Sequence, residues 1–431
     1  MYKCLEISDI LLLKDDEREN IKVHGMVHNI RDMGDFAFIV LRKSEGFLQC
    51  VYDKMNKLPL KESAVIIEGK AYKEERAVNG IEIKVNKMTV LSSPKEEIPF
   101  NISKLNINMA IENEMTVRPA VLRNETKRNI FKIEACIVKA FREYLYKNKF
   151  TEIFTPKITS SGAEGGANIF KLEYFGKKAC LAQSPQFYKQ TLIPVYERVF
   201  EIGSVFRAEK HNTTRHLNEY ISVDFEMGFI NSFYDIINME TEMIKSAFDY
   251  LNENCFDIIK KLNIKIPKID SIPTVKFREA KEMVAKKYSR KIKEPYDLEP
   301  EEEKLIGELF IEEYGSDFVF ITHYPSKKRP FYAMDDPEDN RYTLTFDLLF
   351  RGMEVTTGGQ RIHDYDTQVE KMKRKFLQPE EFESYLMLHK YGAPPHGGLG
   401  LGLERFMLKL IDAANIRQTS MFPRDTTRLV P

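Results

Sequence analysis

The sequence predicts an α+β protein in two parts, and three observations carry that prediction. Five short strands fill the stretch from Ile21 to Leu91: IKVHGMVHNI, FAFIVLRK, FLQCVYD, SAVIIEGKAY and IEIKVNKMTVL. Two longer hairpins follow, from Val199 to Phe229 and from Thr345 to His363. Around them lie segments with apolar residues at helical spacing, among them Ile130, Phe131, Ile133, Ile137, Val138, Phe141, Tyr144 and Leu145.

The chain has 431 residues, enough for two or three domains and a large core. Lys+Arg and Asp+Glu both number 65, so no global basic field marks a nucleic-acid partner, and any RNA binding must come from local patches. Five cysteines (Cys4, Cys50, Cys136, Cys180 and Cys255) are scattered without a C-x-x-C pair, which argues against a disulfide framework and a structural zinc site. No signal peptide opens the chain and no apolar run reaches a membrane-spanning length. The expectation is a soluble cytoplasmic protein with no membrane partner.

The five N-terminal strands, with Gly and charged turns, suit a small barrel of the OB type or another small β domain. A polar hinge opens with SSPKEEIPF. After the first amphipathic helix, TEIFTPKI is a strand broken by Pro156, a residue that belongs at a sheet edge or bend. SSGAEGGANIF (Ser160 to Phe170) surrounds Glu164 with small residues and is either a connector or a ligand-facing loop. In the first hairpin Ile221, Val223, Phe225, Met227 and Phe229 alternate with Ser222, Asp224, Glu226 and Gly228. In its outgoing strand Phe200, Ile202 and Phe206 oppose Glu201, Gly203 and Arg207. The polar faces make a floor, with Glu209, His211, Arg215 and His216 on the loop above it. Such a hairpin is either an ordinary surface ribbon or a grip for a phosphorylated, planar ligand.

The second hairpin turns at Arg351-Gly352. Its Asp347 and Glu354, seven apart, would lie on opposite faces of one straight strand but can converge across a turn. They are either acids on a solvated rim or a Mg²⁺ site beside phosphates. HGGLGLGLERFMLKL (His396 to Leu410) is a glycine-rich strand entering a helix, without the G-K-[ST] of a P-loop.

FRAEKHNTTRHLNE (Phe206 to Glu219) resembles motif 2 of the class II aminoacyl-tRNA synthetases. GLGLER (Gly400 to Arg405) resembles their motif 3, and the helix, strand and Pro156 resemble motif 1, which builds a homodimer interface. The end, FPRDTTRLVP, is similar to the family's F-P-R-D-x-x-R-L-T-P with Val430 in place of Thr. The likeness covers the whole chain and is strongest to aspartyl-tRNA synthetases of the archaeal type. The interval from Ile230 to Phe346 is too short for the large extra domain of bacterial-type enzymes. The resemblance implies an OB-fold anticodon-binding domain over residues 1–95, a hinge over 96–129, and a class II catalytic domain over 130–431 on an antiparallel sheet flanked by helices. It also implies a homodimer that uses L-aspartate, ATP, Mg²⁺ and tRNA-Asp.

Residue by residue, the resemblance assigns catalysis to Arg207, Glu354 and Arg405. Aspartate falls to Glu164, Gln186, Phe187, Tyr188, Lys189, Arg207, Thr357 and Arg361. ATP falls to Arg207, Ala208, Glu209, Arg215, His216, Leu217, Glu354, Gly402, Leu403, Glu404 and Arg405. Mg²⁺ falls to Glu354, Asp347 and Thr357, the last replacing a usual Ser and keeping the hydroxyl. His28, Phe38, Gln49, Val78 and Glu82 match anticodon-contacting positions. Two other readings stand beside this one. An asparaginyl enzyme typically carries an acid where this chain has Lys189, and Lys189 with Arg361 puts two cations in the pocket, which suits a carboxylate. A non-catalytic RNA-binding descendant would be expected to lose Arg207, Glu354 or Arg405, and all three are present. His28 stands where enzymes restricted to tRNA-Asp carry Trp and relaxed ones carry His, so the resemblance implies tRNA-Asn as a second partner. Val78 stands where relaxed enzymes usually carry Pro, so that pattern is half met. Taken alone, His28 reads as a partly exposed strand histidine.

Overall fold

The computed structural model describes residues 4–53, 57–160, 168–210 and 213–430. The chain forms two compact units, Met1–Glu125 and Thr126–Pro431. Residues 96–125, most of the expected hinge, belong to the first unit.

In the first unit, β1 (Ile21–Asp32), β2 (Phe36–Arg42), β3 (Phe47–Asp53), β4 (Ala64–Lys73) and β5 (Ile81–Ser92) close a barrel in the order β1-β2-β3-β5-β4. The five-stranded barrel expected from the sequence is present. Alternation sends Val23, Ile39, Leu41, Leu48, Cys50, Ile67 and Ile83 inward, and they form its core with the helix Ile7–Leu12. The barrel bends at a bulge between Glu68 and Gly69, where a Cβ on Gly69 would sit 2.1 Å from the Lys84 carbonyl.

The second unit is built on an eight-stranded sheet and a separate three-stranded one. In chain order the strands are β6 (Thr151–Glu152), β7 (Ile158–Thr159), β8 (Lys171–Tyr174), β9 (Lys177–Leu181), β10 (Arg198–Phe206), β11 (Glu219–Gly228), β12 (Thr274–Lys276), β13 (Phe318–Thr322), β14 (Thr345–Phe350), β15 (Met353–Arg361) and β16 (His396–Gly402). The sheet runs β12-β13-β14-β15-β16-β11-β10-β6 and is antiparallel except at its two edge pairs, while β7, β9 and β8 make a small separate sheet. One face packs Phe200, Phe225, Leu348, Leu399 and Leu401 against the helices Glu125–Lys147 and Tyr234–Asn254. The other face is covered at one end by the helices Phe277–Lys287 and Pro300–Tyr314 and forms a cleft beyond them. Phe229 does not continue the apolar row: β11 stops at Gly228, and Phe229 turns out at φ 56° with 67% exposure.

Glu240, on the helix Tyr234–Asn254, lies in the buried face with 0% exposure beside the Thr356 hydroxyl. Neither carboxyl oxygen has a hydrogen-bond partner at normal geometry among the described residues. Burial pushes its pKa up to about 8, so it is neutral at pH 7. The folded state then holds a proton that the unfolded chain releases at ordinary carboxyl pH, and stability contributed by the neutral form is lost as pH rises from about 4.5 towards about 8. Glu240→Gln is expected to raise the melting temperature at pH 8.5 and change it little at pH 5, read by scanning calorimetry. An equal shift at both pH values would contradict the assignment.

Candidate active site

Register builds the floor of the cleft. Ser222, Asp224 and Glu226 on β11 stand opposite Gly402, Gly400 and Gly398 on β16, and Gly400, Gly398 and His396 stand opposite Thr357, Gly359 and Arg361 on β15. Leu399 and Leu401 point to the core, so β16 shows the cleft a row of glycines. The acids lean over that row. A Cβ on Gly398 would meet the Glu226 carboxylate at 2.3 Å, and one on Gly400 would lie 3.1 Å from Asp224.

Four buried charges share this floor. Lys189 Nζ donates to Asp224 Oδ1 (2.9 Å) and to the Leu399 carbonyl (2.6 Å), and stands 3.4 Å from Glu226 Oε2. Arg361 Nε donates to Glu226 Oε1 (2.9 Å), and its Nη2 donates to Glu226 Oε2 (3.4 Å) and the Gly398 carbonyl (2.9 Å). Burial opposes the charge on Glu226, but Arg361 and Lys189 outweigh it and hold the carboxyl below its ordinary value. His396 is pushed by burial down to about 4 and is therefore neutral, placed between the Pro394 carbonyl and Gln190 Oε1. The two cations expected in the pocket are both paired with acids, Lys189 with Asp224 and Glu226 and Arg361 with Glu226. Lys189 does not line the cleft, whereas Arg361 and Asp224 do.

The other end of the cleft gathers the remaining charges. A bulge in β15 follows the pairs Leu349↔Glu354 and Leu348↔Thr356, and Thr357 pairs with Asp347. The extra residue brings Glu354 to the same face as Asp347 and Thr357, which a regular seven-residue spacing would forbid. Thr357 Oγ1 donates to Glu354 Oε1 (3.3 Å), and Arg405 Nη1 donates to the Glu354 carbonyl (3.2 Å). Burial would raise the Glu354 pKa, but Arg405, Arg329 and Arg207 hold it below the ordinary value. Arg329 Nη2 donates to Asp347 Oδ2 (2.7 Å) while its guanidinium stacks 3.8 Å from the Tyr324 ring. Burial and the Glu354 charge nevertheless hold Asp347 above its usual value. Asp347 Oδ1 is buried without a partner among the described residues. Two carboxylates, one of them with an unpartnered oxygen, and a hydroxyl fit a Mg²⁺ that keeps water and phosphate ligands. The cleft is also lined by Gln186, Arg207, Glu209, Arg215, His216, Leu217, Gly402 and Glu404. Burial, then Arg405, lower the His216 pKa. Glu404, raised to about 8 by burial, accepts from the Ile221 amide at 3.0 Å.

On the barrel, Phe36 and Phe38 share one face of β2 with their rings 5.3 Å apart. Gln49 on β3 donates to Glu82 on β5 at 2.5 Å, and the Tyr72 hydroxyl holds the other Glu82 oxygen. His28 is 6% exposed, which corrects the expectation of a partly exposed histidine. Its Nδ1 lies 3.2 Å from Arg42 Nη1, and its ring lies 4.6 Å from that of Phe47. Arg42 is in turn paired at 2.7 Å with Glu62. Val78 is exposed on a short turn whose next residue, Asn79, donates its side-chain amide to the Phe47 carbonyl (2.8 Å).

A family model described as tRNA synthetases class II (D, K and N) matches residues 110–426, and one for the OB-fold nucleic acid binding domain matches 21–91. The chain belongs to the class II tRNA synthetases. Similar proteins include an aspartate–tRNA(Asp/Asn) ligase of Deinococcus radiodurans, 43% identical over 97% of each chain. An aspartate–tRNA(Asp) ligase of Pyrococcus abyssi is 39% identical over 96% of each chain. Among solved structures, the asparaginyl-tRNA synthetase of Pyrococcus horikoshii complexed with asparaginyl-adenylate superposes with a TM-score of 0.90 at 29% identity, over 100% of both chains.

Within this synthetase several expected residues stand back from the cleft. Phe187 packs its ring against Tyr385 (4.8 Å) and Phe331 (6.0 Å). Leu403 is in the main core, whereas Leu217 reaches the cleft wall while packing with Met353, Leu408 and Ile416. Ala208 offers its amide to the Asn168 carbonyl, and Tyr188 is partly buried. Glu164 and His211 lie outside the described residues. The sequence reading missed Arg329 altogether and gave Asp224 and Glu226 no role beyond a polar strand face. Arg329→Met would strand Asp347 in a buried site, and its expected cost is about 3 kcal/mol at pH 7.5 by urea unfolding, shrinking at pH 4 as Asp347 protonates. A loss below about 0.5 kcal/mol, the ordinary surface range, would show that the pair is not holding the hairpin.

Proposed function

We propose that the chain is an aspartate–tRNA ligase that charges both tRNA-Asp and tRNA-Asn. The observation that carries the amino-acid choice is Arg361, fixed on the cleft floor by Glu226 and Gly398. Its Nη1 has no protein partner among the described residues. A planar cation with a free donor suits the side-chain carboxylate of aspartate better than a neutral amide. Asp224 and the buried, unpartnered Gln186 Nε2 suit the substrate's ammonium and carbonyl groups. The likeness to asparaginyl enzymes makes asparagine the alternative substrate.

The first step joins the aspartate α-carboxylate to the α-phosphorus of ATP and releases pyrophosphate. In the second, the 3′-terminal adenosine of tRNA attacks the acyl carbonyl and AMP leaves. Neither step needs a protein nucleophile, so catalysis is positioning and charge neutralisation. Arg207 holds the α-phosphate and the attacking carboxylate, and Arg405 holds the γ-phosphate. Mg²⁺, held by Glu354, Asp347 and Thr357, would supply further neutralisation of the phosphates. A homodimer is supported by the exposed apolar side chains around the motif 1 proline, with Phe154 86% and Ile158 47% exposed. No helix among the described residues is long and apolar enough to cross a membrane, in keeping with a cytoplasmic enzyme.

ATP–pyrophosphate exchange is expected with aspartate and very little with asparagine. Arg361→Leu should remove about 2–5 kcal/mol of transition-state binding and abolish most exchange while the circular dichroism spectrum is kept. Near-normal aspartate activation by that variant would sink the pocket assignment.

The second tRNA rests on the barrel. His28 is buried beneath Phe47 and beside Arg42, so it acts by setting the shape of the surface that meets the last anticodon base. A Trp there would be too large for the same space. Wild type should aspartylate both tRNA-Asp and tRNA-Asn transcripts, and His28→Trp should narrow charging to tRNA-Asp. Wild type that ignores tRNA-Asn would leave a ligase restricted to tRNA-Asp.

A further inference from the structure

The interval between the two hairpins carries no recognisable motif, yet one of its helices reaches the phosphate end of the cleft. The helix Pro300–Tyr314 seats directly on the β14–β15 turn. A Cβ on Gly307 would fall 2.3 Å from the Gly352 amide nitrogen, and one on Gly352 would fall 2.8 Å from Lys304 Cα. Backbone therefore meets backbone, and the turn, with positive φ at both Arg351 (45°) and Gly352 (72°), admits that approach. The start of the helix is fixed as well. Glu302 accepts from the Glu299 amide at 3.0 Å and from Lys281 Nζ at 2.6 Å.

This seat delivers one carboxylate to two parts of the site. Glu303 Oε2 accepts from the Glu354 amide (3.1 Å) and from Arg215 Nη2. Glu303 is 7% exposed and does not line the cleft, whereas Arg215 does. Arg215 is held a second time through its carbonyl, which accepts from Arg405 Nε at 3.4 Å. Its own Nε is buried without a partner among the described residues. Resting on the reading of this cleft as an ATP site, we propose that Glu303 is a positioning residue that holds Arg215 from behind, so that the rest of the guanidinium faces the nucleotide phosphates. A carboxylate behind a cation fixes the fork's orientation at no cost when substrate arrives. The charged groups facing Glu303 are Glu354 on β15 and Arg215 on the hairpin loop.

ATP binding by calorimetry, without amino acid, separates this inference from the function itself. Wild type, Glu303→Gln, Arg215→Ala and the double variant would be titrated with ATP and Mg²⁺. Gln keeps an acceptor for the Glu354 amide, so Glu303→Gln should melt within a few degrees of wild type and weaken ATP about tenfold. In exchange assays it should raise KM for ATP by a similar factor and leave KM for aspartate and kcat within about twofold. Arg215→Ala should weaken ATP at least as much, and adding Glu303→Gln to it should change nothing further. Wild-type ATP affinity in Glu303→Gln, or losses that simply add in the double variant, would overturn the proposal. So would a Glu303→Gln protein that loses aspartate and ATP affinity equally, the mark of a merely structural role. A wild type that binds ATP but shows no aspartate-dependent exchange would count against the proposed function and leave this inference standing.

Discussion

The catalytic unit depends on a buried layer of two cations and two acids: Lys189, Asp224, Glu226 and Arg361. Left unpaired, any one of them would carry a desolvation cost of several kcal/mol. Paired across β11, β15, β16 and the helix Gln186–Thr191, they tie four elements to one register. A slip of one residue on β11 or β15 would send its charged side chains into the apolar face. The glycines of β16 follow from the same constraint, because the acids occupy the space their side chains would need. Of this layer Arg361 and Asp224 face the cleft, and among the described residues Arg361 Nη1 has no protein partner; on the proposed function, that donor would give the site its preference for a carboxylate.

The phosphate end is organised by backbone irregularity. The bulge in β15 puts Glu354, Thr357 and Asp347 on one face, and the tight turn at Arg351 and Gly352 lets a helix rest on the hairpin. Four arginines surround these acids, and each is anchored by a different element: Arg329 on Asp347, Arg405 on Glu354, Arg215 on Glu303, and Arg207 beneath Tyr220 at 5.8 Å. Positive charge is therefore held in place before a polyphosphate arrives, which is what catalysis by positioning demands.

Much of this was legible in the chain. The barrel strands and both hairpins show a two-residue period, and the motif strings place Arg207, Glu354 and Arg405 without any tertiary information. Other features depend on which strand lies beside which. Asp224 and Glu226 look like the polar half of an alternating strand, and nothing local says that Lys189, 35 residues upstream, and Arg361, 135 residues downstream, meet them. Arg329 sits in a loop whose composition is ordinary, and its value comes only from Asp347. The bulge adds one residue, too small a signal for periodicity to register. His28 misled in the opposite direction, since Phe47 and Arg42 bury a side chain that its strand position leaves half-exposed.

On the proposed function, Glu226 orients Arg361 for a substrate carboxylate. Calorimetric titration of L-aspartate into wild type and Glu226→Gln tests it most directly. Aspartate affinity is expected to fall at least tenfold in the variant while ATP affinity is unchanged, because the groups that lose the Glu226 charge, Arg361 and Lys189, belong to the floor and not to the phosphate end. Unchanged or tighter aspartate binding in Glu226→Gln would contradict it.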